Sequence, residues 1–184
     1  MALSPHVRVK SISRKMKLLI VLAAAGFVSG SAYLTWIFVF DIGRLKELVI
    51  HYPLSGIEPV TLTSYALGGL AIIASANAIL IGTAIWTLWT MFDHFEKGEI
   101  FAGRSGVLLR RTGYLALIGG FSGLLSRTLA VLVATYENPL GQTMLSIGIS
   151  STDIGLLILA GLLFVLGHIM VIATGIEEDN RSFV

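Results

Sequence analysis

The chain has 184 residues, 55% of them hydrophobic and only 13% charged, with a mean hydropathy of +0.84. A soluble domain carries about a quarter charged residues, so an ordinary soluble fold is excluded, and four apolar runs fill so much of the chain that no separate soluble domain fits. The net charge of +2 fits basic membrane flanks and not direct nucleic-acid binding, and the absence of cysteine excludes disulfides, thiolate metal sites and thiol catalysis.

Residues 1–17 form a basic cytoplasmic arm carrying Arg8, Lys10, Arg14, Lys15 and Lys17. The first apolar run follows, Leu18 to Phe40. A bilayer core of ~30 Å takes roughly 20 helical residues to cross. Gly30-Ser31-Ala32 has the look of a cleavage site, but the run continues through Trp36 to Phe40, beyond the ~7–15 residues of a signal h-region. An uncleaved helix over 18–40 is expected. The loop after it holds Arg44 and Lys46.

The second run spans Val60 to Phe92. Val60-Thr61-Leu62-Thr63 alternates apolar and polar, so Ser64 is taken as the helix start and 64–92 as the helix. Trp86, Trp89 and Phe92 read as an interfacial aromatic belt. The polar loop Asp93 to Arg111 adds Lys97, Arg104, Arg110 and Arg111. The third helix is expected over 112–136. Beyond it, Thr143, Leu145, Ile147 and Ile149 alternate with Met144, Ser146, Gly148 and Ser150. That period of two predicts a strand, and the two outer loops are expected to pair as a small extracytoplasmic β element. The fourth helix, 154–176, leads into an acidic cytoplasmic tail over 177–184.

The fold class is therefore an all-α membrane protein, a single four-transmembrane-helix bundle over 18–176. Lysine and arginine concentrate on one side, which places both termini and the middle loop in the cytoplasm. The halves look alike. Lys17 precedes Gly26 by the same nine residues that separate Arg110 from Gly119, and Gly26-x-x-x-Gly30 matches Gly119-x-x-x-Gly123. Two similar helical hairpins related by an axis along the membrane normal are expected. Small residues let helices approach closely in lipid, so these four glycines are assigned to packing within the chain, with a homo-oligomer as the alternative.

Arg127 stands about 22 Å along the third helix, where an ion is costly and by default a functional candidate. It requires a partner: Asp153 first, Glu137 or Asn77 otherwise. Together with His168 these residues define an intramembrane polar centre of Arg127, Asp153, Asn77 and His168. One reading is a ligand-binding or sensing centre; the other is a structural pair with snorkelling. Haem ligation by His168 needs a second ligand facing it, and His94 lies beyond the helix end. Gly120-Phe121-Ser122-Gly123 resembles the short serine motif of rhomboid-type intramembrane proteases, which would pair Ser122 with His168. Asp93, His94, Glu96 and Glu99 form a cluster of metal-ligating types, but spacing alone supplies no convergent geometry. No catalytic residue, metal or cofactor is assigned, and the chain is not expected to be an enzyme.

The middle loop carries a resemblance. Phe95, Lys97, Gly98, Glu99 and Phe101, followed by Arg110, Arg111 and Gly113, form a pattern similar to that of YoaS-like bacterial membrane proteins, a four-span family of unknown function. Asp153-Ile154-Gly155-Leu156 and the tail Glu177 to Val184 fit as well, so the resemblance covers roughly Ser64 to Val184. Glu178-Asp179-Asn180 departs slightly from the family's Glu-Asn. The resemblance implies a bacterial inner-membrane protein and a membrane-embedded partner of a helix-turn-helix regulator. The expected function is an interaction protein in the lipid bilayer. Its protein partner, a regulator or a larger membrane complex, would bind through Phe95, Lys97, Glu99, Phe101, Arg110 and Arg111. The alternatives are a small-ligand sensor or transporter centred on Arg127, and the Ser122–His168 hydrolase.

Overall fold

All four prolines lie at positions 5, 53, 59 and 139, outside the interior of every apolar run, so nothing in the runs breaks a helix. The computed structural model describes residues 5–51, 54, 62–97, 103–138, 145–149 and 151–182. Its helices are α1 (Pro5–Phe40), α2 (Ile42–His51), α3 (Ser64–Glu96), α4 (Gly103–Thr135) and α5 (Ser151–Ser182). Four of them are long and apolar enough to cross a membrane, which indicates a multi-pass membrane protein.

The helices outrun their apolar segments at the basic end. α1 starts at Pro5, so the basic arm is a helical extension of the first span and not a loose tail. α4 starts at Gly103, nine residues before the expected Thr112, and α5 runs on to Ser182 through the acidic tail. Extending an existing helix costs far less than nucleating one, and lysine, arginine and glutamate are good helix formers. α3 begins at Ser64 because the Thr63 hydroxyl caps it, accepting the Ala66 N–H at 3.2 Å.

The first connection, expected as a loop, contains the helix α2. Leu45, Leu48 and Val49 occupy i, i+3 and i+4 and turn inward, while Arg44, Lys46 and Glu47 are exposed. The Asp41 carboxylate accepts the Arg44 N–H at 3.0 Å and starts the helix. The expected β element finds no support: among the described residues there is no strand, and 145–149, 62 and 63 are irregular. Leu145, Ile147 and Ile149 are all exposed, so the alternation there pairs with no partner edge. The rest of the expected strands, Val60, Thr61, 142–144 and Ser150, lies outside the described residues.

Among the described residues the long helices pack in chain order, α1 on α3, α3 on α4 and α4 on α5, with α2 on α1. The bundle is thus an open row. The accessible surface is 12317 Å², against roughly 8,600 Å² for a compact monomer of this mass. The main buried cluster sits at the end opposite the basic arm, where Ile37, Leu45, Leu54, Leu62, Ala66, Leu67, Val131 and Ala134 meet under α2. Hydrophobic burial has its ordinary drive there, at the water boundary, and little of it between helices in lipid.

Glycine sets the α4–α5 register, but not the glycines expected. An added Cβ at Gly26, Gly30, Gly119 or Gly123 meets nothing within 4 Å. At Gly113 it would lie 2.5 Å from the Phe164 backbone nitrogen, and at Gly106 3.0 Å from the Val171 nitrogen. At Gly167 it would overlap the Arg110 backbone. Gly106, Gly113 and Gly120 on α4 are seven apart, as are the buried Ala160, Gly167 and Thr174 on α5. A seven-residue repeat keeps one seam facing a partner along the whole helix. The matched GxxxG patterns do not share a packing role, so the likeness of the two hairpins does not extend to their contacts.

Candidate functional site

At the basic end, Lys17 is the last cation before the apolar run of α1. Its ammonium donates to Asp93 Oδ1 at 2.7 Å and to Glu96 Oε2 at 3.1 Å, and lies 4.7 Å from the centroid of the Trp89 ring. Arg14, one turn earlier, reaches Glu96 at 3.5 Å, and Lys97 pairs with Asp93 at 2.7 Å. Positions 89, 93, 96 and 97 share one face of α3, and 14 and 17 share one face of α1, so helical spacing assembles the brace. Lys17 is the one well-covered cation in it, at 17% side-chain exposure, and its aromatic contact adds a cation–π attraction. Arg14 and Lys97 are rim members, at 75% and 61%, where exposed pairs contribute little.

This brace changes the reading of the middle loop. Asp93 and Glu96 are neutralised by basic side chains, and among the described residues no group of three metal-ligating side chains converges. Of the expected partner-binding residues, Phe95 packs edge-on against Phe92 at 5.8 Å. Lys97 is exposed and held by Asp93. The Arg110 backbone lies under Gly167, with its side chain half-buried, while Arg111 is exposed. Glu99 and Phe101 lie outside the described residues.

The intramembrane centre divides into separate sites. Asn77 on α3 sits between two serines of α4: its amide donates to Ser126 Oγ at 2.6 Å, and Ser122 donates to its carbonyl at 3.0 Å. Ser126 was not anticipated, although its spacing of four from Ser122 puts both hydroxyls on one helix face. Arg127 belongs to a different contact, donating from Nη1 to Asp153 Oδ2 and to the Gly148 carbonyl, both at 3.2 Å. It is 44% exposed and reaches toward the end of the bundle, which spares the cost of an enclosed ion. Glu137 takes no part in that pair.

His168 joins neither site. It is exposed, and its ring stacks on Phe164 at 6.4 Å. Gly167 packs on Arg110 and Gly113 on Phe164, so antiparallel register sets His168 level with Leu109. Ser122 lies thirteen residues further along α4, roughly 20 Å away along the axis. A Ser–His dyad requires hydrogen-bond reach, and the Ser122 proton is directed to Asn77.

The sequence matches the family described as protein of unknown function (DUF2975) over residues 21–182. The match takes in the first span, which the resemblance of the loop and tail covered only by topology. No curated protein and no solved structure matches the chain.

Proposed function

The chain belongs to the DUF2975 family, and on that footing we propose that it is an inner-membrane interaction protein whose basic end faces the cytoplasm. A protein partner docks on the helix ends around Lys97 and Arg111, beside the loop and tail. The partner is a helix-turn-helix regulator or a larger membrane complex in which this chain is an accessory subunit. The supporting observation is the helical extension of α1 and α4 beyond their apolar segments at the basic end, with α1 braced on α3 there by Lys17 against Asp93 and Glu96. Rigid elements present charged and aromatic groups with less ordering cost than loops do, and the surplus of arginine and lysine suits an acidic partner face.

Charge reversal at Arg110 and Arg111 is expected to abolish co-purification of the partner from native membranes while membrane expression stays level. Undiminished co-purification would remove this surface from consideration. The orientation has its own test, because the chain carries no cysteine. Ser11→Cys is expected to label with a membrane-impermeant maleimide only after permeabilisation, and Leu145→Cys in intact cells. The opposite pattern would invert the topology.

A further inference from the structure

The end of the bundle opposite the basic arm carries a groove that the cytoplasmic docking reading does not use. It is a shallow, open groove of about 130 Å³ between the start of α3 and the end of α4, lined by Tyr65, Ala66, Val133, Tyr136 and Glu137. Its construction follows from the α3–α4 register. An added Cβ at Gly69 would lie 2.7 Å from Val133 Cγ1, so the helices close together there and form the groove's floor. One turn further out, antiparallel register brings Tyr65 level with Glu137, while Ala66, a small buried residue, leaves the space between them.

Two tyrosines and one glutamate lining one groove are a combination with a definite preference. The tyrosines are 85% and 74% exposed, so no neighbouring side chain covers most of either ring. Among the described residues no cation pairs with Glu137. Aromatic faces attract cations through the ring quadrupole, and quaternary ammonium groups above all, because they shed water easily. A carboxylate adds charge attraction and repels anions. We propose that this groove binds an organic ammonium group, either on a lipid headgroup or on a soluble amine. The inference does not rest on the cytoplasmic docking reading.

The test uses the full chain in nanodiscs of phosphatidylglycerol alone, titrated with choline and followed by saturation-transfer difference NMR. Choline is expected to bind saturably, and its neutral isostere 3,3-dimethylbutan-1-ol is not. Glu137→Gln is expected to weaken choline about tenfold, or about 1.4 kcal/mol. Tyr65→Leu and Tyr136→Leu each weaken it about two- to fivefold, and Tyr→Phe at either position has little effect because the ring face remains. Elution of each variant as a monodisperse peak checks its fold. Phosphatidylethanolamine added to the discs then separates the sources. Weaker choline binding assigns the groove to a lipid headgroup, and unchanged binding assigns it to a soluble amine. The proposal is overturned by no saturable choline signal, by equal binding of the isostere, or by binding indifferent to both Glu137→Gln and Tyr136→Leu.

Discussion

Gly113→Leu and Gly167→Leu are each expected to destroy the folded protein in detergent, seen as loss of the monodisperse peak in size exclusion. Both glycines face backbone across the α4–α5 seam, Gly113 against Phe164 and Gly167 against Arg110. A side chain there cannot be absorbed by a rotamer change, because the obstacle is the partner helix itself. Overpacking a yielding core costs ~1–3 kcal/mol, and an unyielding site falls at or beyond the top of that range. Gly120→Leu is expected to be milder, since the atom it meets first is the far end of Leu157 at 2.8 Å. Gly26→Leu and Gly30→Leu serve as controls, because an added Cβ at either position meets nothing within 4 Å. They are expected to change stability by no more than about 0.5 kcal/mol, as surface positions do. Tolerance at Gly113 with loss at Gly26 would overturn the packing described.

Lys17→Glu is expected to free the basic half of α1. α1 packs on α3 and α2 alone among the described elements, and at its basic end the contact depends on one ammonium set between two carboxylates and an indole. Reversal places a third carboxylate beside Asp93 and Glu96, removes the cation–π contact and leaves Arg14 as the remaining cation from α1 in the brace. Trypsin cleavage at Arg14 and Lys15 then speeds up on the order of tenfold, because proteolysis follows the population of the opened state. Restoring opposite charge with Asp93→Lys and Glu96→Lys is expected to slow cleavage again. Unchanged cleavage in Lys17→Glu would mean that the brace is incidental and that α1 is held by its apolar positions, of which Ile20 is buried. The same variant bears on partner docking, since the brace supports the surface proposed for it.

The four spans were legible from hydropathy because lipid accepts no other backbone structure over that length without a closed barrel. Helix starts were harder. Ser64 was readable from the alternation that ends at Thr63, whereas the starts of α1 and α4 were not, since charged residues that leave the membrane are equally good helix formers. Alternation misled at Leu145 to Ile149, where a period of two gives a strand only if another edge is present to pair with it. The same limit applies to Arg127. Spacing gave its depth and named Asp153 as a partner, but it could not separate that pair from Asn77, which is occupied by Ser122 and Ser126.

By itself the sequence determined the membrane class, the number of spans, the concentration of cations at one end and the family pattern in the middle loop. These are properties of composition along a line, and a line is enough to state them. The tertiary structure alone decided which glycines pack, which carboxylates Lys17 joins, and that Tyr65, Tyr136 and Glu137 line one groove. Each of these depends on the rotation and offset of one helix against another. In lipid that choice is made by close backbone approach at a few small residues, and the GxxxG spacing pointed to Gly26, Gly30, Gly119 and Gly123 where the seam uses Gly106, Gly113 and Gly167.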